Sequence, residues 1–177
     1  IRIAGICRTP RIDLRNKAVV VMCADNGVVA EEISQSGQDV TQIITENLGK
    51  GTSTVCHMAR AVGADVIPVD IGVASDIHGS GVVHRKIARG THNFAKQPAM
   101  SRDQAVQAIG VGIETALLCR QHGYDVVATG EMGIGNTTST AAVTAALLHA
   151  PVELVTGRGS GLTSEGLVRK IQVVTRA

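Results

Sequence analysis

Residues 129–138 read TGEMGIGNTT and stand between the apolar run Asp125–Thr129 and the alanine-rich stretch Thr138–Leu148. A short apolar run bounded by turn residues is typical of a buried strand, and the alanine-rich stretch has the periodicity of a helix. Glycines at the junction remove side chains that would block a close approach of the backbone. The segment therefore predicts a strand, a glycine-rich turn and a helix in succession, the unit from which α/β folds are built.

The same alternation of apolar runs and helical patterns continues along the chain. Three further runs predict buried strands of a parallel sheet: Ala18–Ala24, Asp65–Val73 and Val152–Thr156. The stretch Val82–Gly90 alternates imperfectly and predicts a short edge strand. We expect an α/β fold of three layers, a Rossmann-like open parallel sheet with helices on both faces, forming a single domain over residues 1–177.

The clearest helix of the chain begins after Ser101. Ser101 and Gln104 form the S-x-x-Q pattern of a capping box, and Gly123 is typical of the residue that follows a helix C-terminus. Apolar residues at helical spacing line one side of this helix: Ala105, Ile109, Gly112, Ile113, Ala116 and Leu117. The pattern predicts a long helix with one apolar side.

The composition argues against several classes of protein. The net charge is +2 and the only aromatic residues are Phe94 and Tyr124, so the chain lacks the basic stripe and the stacking rings of a nucleic-acid binder. The four cysteines are widely spaced and the six histidines show no ligand spacing, which predicts reduced thiols, a cytoplasmic protein and no metal. No apolar run reaches the ~20 residues of a membrane span.

Two glycine-rich turns have the pattern of an anion-binding site. The turn Gly130–Asn136 is one residue from a P-loop, but Asn136 replaces the phosphate-binding lysine, which disfavours an NTPase. Asn136, Thr137 or Thr138 is expected to cap the next helix and leave N–H groups free to face an anion. The turn Gly157–Gly161 also precedes a predicted helix, and that helix carries Lys170.

These two turns, at adjacent predicted strand ends, suggest one phosphate cradle closed by Lys170. A solvated helix residue is the competing interpretation for that lysine. Glu131 ends a strand expected to be buried, where a carboxylate needs a partner or a function. An ordinary cap or ion pair is the competing interpretation for Glu131. Asp25 and Asp70 also stand at predicted strand ends, where Asx turns explain them most simply.

Six blocks follow one another along essentially the whole chain, the last followed by Lys170: VVVMCADNGVVAEEIS, DVTQIITENLGKGTSTVCHMAR, GADVIPVDIGV, KIARGTHNFAKQPAMSRDQA, GEMGIGNTTSTAA and GRGSGL. In this order they resemble the nicotinate-nucleotide–dimethylbenzimidazole phosphoribosyltransferase family. The resemblance implies transfer of a phosphoribosyl group from nicotinate mononucleotide to 5,6-dimethylbenzimidazole or a related azole. The products would be nicotinate and α-ribazole 5′-phosphate, for cobalamin nucleotide-loop assembly, and no cofactor or metal is implied.

The resemblance also implies which residues bind the substrates. The nucleotide and the bound base would be contacted by Glu131, Met132, Gly133, Ile134, Gly135 and Asn136. The phosphate side would include Gly157, Gly159 and Lys170, and the aromatic base would face Ser36 and Ile44. Asn26 stands where many members of the family have histidine.

The family's general base, a glutamate near its C-terminus, has no counterpart in this sequence. No catalytic residue is therefore certain, and Glu131 is the candidate. We expect a chain truncated at both ends, part of the family's large domain, that works as a homodimer or with a complementary C-terminal chain and with neither nucleic acid nor a membrane. Two alternatives stay open, namely transfer to another azole, a purine or a phenol, and a non-catalytic nucleotide-binding or partner subunit.

Overall fold

A computed structural model of the protein describes residues 1–177. A four-stranded, all-parallel sheet with the strand order β3-β2-β1-β4 lies at its centre. The strands are β1 (Lys17–Ala24), β2 (Ala64–Gly72), β3 (Val83–His84) and β4 (Val126–Met132). The helices are α1 (Arg2–Cys7), α2 (Asp39–Gly49), α3 (Thr54–Ala61), α4 (Arg102–Gln121), α5 (Asn136–Leu148), α6 (Val152–Val155) and α7 (Ser164–Thr175), and residues Gly27–Glu31 form a 3₁₀ turn.

The central strand β1 is buried on both of its faces. Its alternate side chains point in opposite directions, so Val21 packs with Leu48 of α2 and Cys56 of α3. Val20 points the other way and packs with Cys119 of α4. Helices therefore cover both faces of the sheet, which confirms the predicted three-layer α/β architecture. The edge strand predicted within residues 82–90 is also confirmed, because β3 pairs with β2 alone.

The prediction of a strand at Val152–Thr156 is wrong. Residues Val152–Val155 form the single helical turn α6, with Pro151 at its N-cap and Glu153 in its first turn. The ring of Pro151 fixes a φ angle that suits the entry to a helix, and four residues are too few for periodicity to separate a helix from a strand. The outer edge of β4, where a further strand would pair, carries no partner.

The long helix α4 has the predicted ends, but its apolar stripe does not face the sheet. Ser101 accepts a hydrogen bond from the Gln104 amide and the Gln104 side chain accepts one from the Ser101 amide, so the capping box is confirmed. The residues that α4 turns toward the sheet are Val111, Thr115 and Cys119. The apolar stripe at Ile109, Ile113 and Leu117 is exposed. None of the helices is both long enough and apolar enough to cross a membrane.

The order in which the strands enter the sheet determines where a ligand can bind. Helices α2 and α3 connect β1 to β2 across one face, and α4 connects β3 to β4 across the other. The chain therefore leaves β1 toward β2 and later returns to the opposite side of β1. In open α/β sheets such a reversal opens a crevice beyond the carboxyl ends of the two strands. The crevice of this fold lies at the ends of β1 and β4.

The capping box of α4 yields a stability prediction. Ser101→Ala removes the acceptor for the Gln104 amide, and we expect it to lower the free energy of unfolding by about 1 kcal/mol. Ser53 is the control, because it is the N-cap of α3 and accepts no capping hydrogen bond from a backbone amide; its Oγ atom contacts only the Cys56 Sγ atom, a weak partner, at 3.1 Å. Urea denaturation of both alanine variants is the measurement. A loss for Ser53→Ala as large as that for Ser101→Ala would contradict the assignment.

Candidate functional site

The turn after β4 lies directly against the end of β1. A Cβ atom at Gly133 would lie 2.1 Å from the Ala24 carbonyl oxygen, so no larger residue fits without moving the backbone. Gly135 has a φ angle of 88°, and a Cβ atom there would lie 2.8 Å from a methyl group of Val29. Both glycines are therefore needed for the turn to enter the crevice, as the sequence predicts.

The first turn of α5 is organised differently from the prediction. Gly135 is the N-cap and provides no side chain, so capping by Asn136, Thr137 or Thr138 is wrong. The Asn136 Oδ1 atom accepts a hydrogen bond from the Thr137 amide at 2.6 Å. The Asn136, Thr138 and Ser139 amides donate to carbonyl oxygens of the turn. The free amides expected for an anion are thus engaged within the helix start, and another group must provide positive charge.

Lys170 of α7 provides that charge. Lys170 is only 1% exposed, and its Nζ atom donates a hydrogen bond to the Thr137 Oγ1 atom at 2.7 Å. It takes part in none of the ion pairs of the protein. Burial lowers the pKa of Lys170 below its usual value because the charged form loses its hydration. The solvated-helix interpretation is wrong, and the lysine is a buried cation without a carboxylate partner.

The second glycine-rich turn meets the first beside this lysine. A Cβ atom at Gly159 would lie 3.0 Å from Thr137 Oγ1 and 3.7 Å from Lys170 Nζ. The two turns are neighbours as predicted, although the second follows helix α6 and not a strand. Between them lies a cleft of about 190 Å³, lined by residues 33–35, 132–137, 158–160 and 162.

A second, wider cleft of about 390 Å³ opens on the other side of Met132. Its walls come from α2, the start of α3 and the end of β4, and they include Ile44 and Glu131. Met132 lines both clefts, while Glu131 also borders the surface around Asn136 and Gly159. The two clefts therefore meet at the end of β4.

The carboxylate of Glu131 is exposed, because β4 is an edge strand and not the buried strand that the sequence suggested. Asn136 Nδ2 donates a hydrogen bond to it. Desolvation raises the pKa of Glu131 above its ordinary value, and the Asn136 hydrogen bond opposes that rise. Glu131 is thus an accessible carboxylate at the junction of the two clefts, held by a single amide.

The remaining candidates, Ser36, Asp25 and Asp70, line neither of the two clefts. Ser36 is exposed and lines neither cleft, whereas its neighbours Ser34 and Gln35 line the first. Asp25 accepts a hydrogen bond from the Ala74 amide at 2.8 Å, and Asp70 accepts one from the Val73 amide at 2.9 Å. Both aspartates hold the loop after β2. Neither makes the bond of an Asx turn, which joins an aspartate to the amide two residues later, because Val73 is three residues after Asp70 and Ala74 is 49 residues after Asp25.

Sequence reasoning assigned no site role to three contributors to the first cleft and its turn, of which Asn26 was noted only as a departure from the family. Arg158 lines the cleft and donates to the Leu162 carbonyl oxygen and the Ser164 hydroxyl. Asn26 and Thr41 contact the turn through their side chains. The position of Arg158 between two glycines was a usable signal, but nothing local marks Thr41, since its partner is 93 residues away.

This arrangement suits an oxyanion next to an apolar or aromatic group. The first cleft is lined by glycine backbone and by Thr137, whose hydroxyl accepts a hydrogen bond from the buried Lys170 ammonium group, and the second offers the apolar surfaces of Ile44 and Met132. Lysine binds phosphate as a point charge. No group of three or more His, Cys, Asp and Glu side chains is arranged to hold a metal ion.

Comparison with known proteins agrees with this chemistry. A family model described as phosphoribosyltransferase matches residues 1–177, the whole chain. The chain belongs to this phosphoribosyltransferase family. It is 45% identical over 176 residues to the nicotinate-nucleotide–dimethylbenzimidazole phosphoribosyltransferase of Acetivibrio thermocellus, which covers 99% of this chain and 50% of that protein. The enzyme of the same name from Chloroflexus aggregans is 49% identical over 178 residues, covering 100% of this chain and 50% of that protein.

Solved structures of the family have the same fold. The crystal structure of CobT from Thermus thermophilus superposes with a TM-score of 0.96 at 42% identity, covering 99% of this chain and 53% of that one. The resemblance stated from the sequence blocks is therefore confirmed. The chain spans about half the length of the relatives that it matches.

The buried charge of Lys170 yields a prediction for this phosphoribosyltransferase chain. We expect Lys170→Met to raise the free energy of unfolding near neutral pH, because it removes an unpaired buried charge while exposed Thr137 can bond to water. The pKa of Lys170 is lower in the folded state, so between that pKa and the ordinary lysine value the unfolded state binds more protons. The free energy of unfolding of the wild type therefore increases with pH in that window, and the difference between the variant and the wild type becomes smaller.

Urea denaturation of both proteins from neutral to alkaline pH measures this difference. A variant less stable than the wild type at neutral pH would show that the ammonium group has a stabilising partner.

Proposed function

We propose that this chain binds nicotinate mononucleotide and provides the nucleotide side of phosphoribosyl transfer to 5,6-dimethylbenzimidazole or a related azole. The observation that carries the proposal is the buried Lys170 beside two glycine-rich turns, without any acid to neutralise it. Relatives named for this reaction match nearly the whole chain, which favours it over a non-catalytic subunit. The products are nicotinate and α-ribazole 5′-phosphate, a component of the cobalamin nucleotide loop.

In this proposal the 5′-phosphate of the nucleotide occupies the first cleft. The dianion accepts a charge-assisted hydrogen bond from Lys170 Nζ, which raises the pKa of the lysine again because the ammonium gains a partner. Gly159 leaves the backbone bare on the opposite wall, Gly157 stays a predicted contact that borders the neighbouring surface around Glu131, and the Gly133–Gly135 turn carries the ribose toward the end of β4. Met132, Ile134 and Asn136 also line this cleft.

The incoming azole occupies the second cleft in the same proposal. Ile44 and Met132 offer an apolar surface to a flat ring, and burying such surface stabilises by roughly 25 cal/mol per Å². Ser36 remains a predicted contact for this ring. Its neighbours Ser34 and Gln35 line the first cleft. The anomeric carbon of the nucleotide then lies near Glu131, where the two clefts meet.

The reaction is a displacement at that carbon. The unprotonated nitrogen of the azole forms the new bond, the bond to the pyridinium nitrogen breaks, and its electron pair returns to nicotinate. The second azole nitrogen must then lose its proton. Glu131 is the candidate base within this chain, and its raised pKa is a change in the direction that general-base catalysis requires. Positioning provides the rest, because the leaving group is already cationic.

We further propose that the chain functions in the cytoplasm as part of a larger assembly, either a homodimer or a complex with a complementary C-terminal chain. All four cysteines are free, which fits a reducing compartment. The exposed Ile109 and Ile113 on α4 and Leu147 on α5 give the assembly apolar surface to bury. Residues 1–177 are, on this proposal, part of the large domain of such an enzyme.

Removal of the buried charge tests the phosphate assignment. We expect Lys170→Met to weaken nicotinate mononucleotide binding by roughly 1.5–3 kcal/mol, the scale of a hydrogen bond to a charged group. Binding of free dimethylbenzimidazole should not change. Isothermal calorimetry with the two ligands is the measurement. Equal nucleotide affinity of variant and wild type would show that Lys170 does not contact the nucleotide. A wild-type protein that binds the nucleotide but forms no product in a transfer assay with the azole would favour the non-catalytic alternative.

A change at Ile44 tests the azole assignment. Ile44→Gln replaces apolar surface with an amide, so we expect preference for dimethylbenzimidazole over a purine to fall by about 1–2 kcal/mol. Nucleotide affinity should remain at the wild-type level. A competition assay with both bases, or competitive binding if turnover is slow, gives the ratio. An unchanged ratio would show that this wall does not contact the base.

A further inference from the structure

The peptide groups of Ile134, between the two glycines of the turn, are held from two sides. Its N–H donates to the Thr41 Oγ1 atom at 3.1 Å, and its carbonyl oxygen accepts from the Asn26 Nδ2 atom at 3.2 Å. Thr41 lies in α2 and Asn26 is the second residue after β1, so two separate segments hold one residue of the turn. Both contacts cross the crevice and connect segments that are about a hundred residues apart, 93 and 108 respectively.

Asn26 also holds the helix that follows the turn. Its Oδ1 atom accepts a hydrogen bond from the Ser139 hydroxyl at 2.8 Å, so one amide uses its donor on the turn and its acceptor on α5. A Cβ atom at Gly135 would lie 3.2 Å from the Asn26 Cβ atom, which shows how closely the turn packs on this side chain. The turn and the first residues of α5 are therefore fixed relative to the end of β1.

Thr41 makes an unusual contact for a helical threonine. Such a hydroxyl commonly bonds to the carbonyl four residues earlier in its own helix. Thr45 behaves in this way, since its hydroxyl donates to the Thr41 carbonyl oxygen at 2.7 Å. Thr41 is equally buried, at 0% exposure, but its hydroxyl accepts the Ile134 N–H. Two equally buried threonines one turn apart therefore use their hydroxyls differently, Thr45 within its own helix and Thr41 on the glycine turn.

We propose that Thr41 and Asn26 are positioning residues that hold the Ile134 peptide groups, and with them the glycine turn, in the conformation that receives the nucleotide. This inference rests on the proposed function of the turn. Glycines give the turn the space to enter the crevice, but they also leave it many alternative conformations. Two side-chain hydrogen bonds remove those alternatives before the ligand arrives, so that less ordering remains to oppose binding.

The pair Thr41→Val and Thr41→Ser tests this role. Valine has nearly the shape of threonine but cannot accept the Ile134 N–H, whereas serine retains the hydroxyl. We expect Thr41→Val to weaken nicotinate mononucleotide binding by about tenfold, the effect of one lost hydrogen bond, and Thr41→Ser to bind within about twofold of the wild type. Calorimetry on the 177-residue chain gives the affinities. Asn26→Ala should weaken binding at least as much, since it removes two hydrogen bonds.

Thr45→Val is the matched control. It removes an equally buried hydroxyl from the same helix without touching the turn, so we expect it to reduce stability yet leave nucleotide affinity at the wild-type level. Amide hydrogen exchange at Ile134, measured by NMR without ligand, gives a second readout. We expect faster exchange in Thr41→Val and unchanged exchange in Thr45→Val.

The outcomes separate this inference from the proposed function. Equal loss of affinity in Thr41→Val and Thr45→Val would reduce Thr41 to a structural residue. Faster exchange at Ile134 with unchanged affinity would show that the contact exists but does not position the nucleotide. Failure of the wild type to bind nicotinate mononucleotide would overturn the proposed function and the positioning role with it, and the exchange data would then report only on the turn.

Discussion

Strand β4 pairs in parallel with β1 along its whole length, from Lys17 opposite Val126 to Cys23 opposite Met132. This pairing forces the chain to turn immediately beyond the end of β1, where the Ala24 carbonyl oxygen leaves no room for a side chain at Gly133. That contact fixes where the first glycine turn and the start of α5 lie. The turn lies within reach of side chains from α2 and from the loop after β1, and the first turn of helix α5 places Thr137 where it contacts the buried Lys170.

Lys170 is positioned by the packing of α7. Gly166, Val173 and Val174 are buried on the same side of that helix, and their burial carries the lysine into the protein interior. The desolvation that this requires opposes folding, since an ammonium group loses hydration and gains only the Thr137 hydroxyl. Because the unpaired ammonium group destabilises the free protein, the free energy of binding an anion that pairs with it is more favourable. The same burial that lowers the pKa of the lysine therefore strengthens its interaction with a phosphate, because less water screens the two charges.

Local sequence signals predicted the elements that local chemistry determines. The capping box at Ser101 and the glycine turns at residues 133–135 and 157–161 are where the sequence indicated, since capping and positive φ angles depend on neighbouring residues. Burial depends on distant contacts and was predicted less well. Glu131 was expected on a buried strand, but β4 lies at the sheet edge. The run Val152–Thr156 resembled a strand, yet it does not pair with the free edge of β4, and residues Val152–Val155 form a helical turn.

The apolar stripe of α4 shows what such a prediction measures. Ile109, Ile113 and Leu117 repeat with helical spacing, and the helix is where that spacing indicates, but these side chains are exposed and α4 buries Val111 and Cys119. Periodicity reports that a helix has an apolar side; it does not report which partner covers that side. Helix α4 has apolar residues on two sides, and the sheet covers one of them. The other side, like the unpaired edge of β4, is the kind of surface that a further polypeptide buries in a larger assembly.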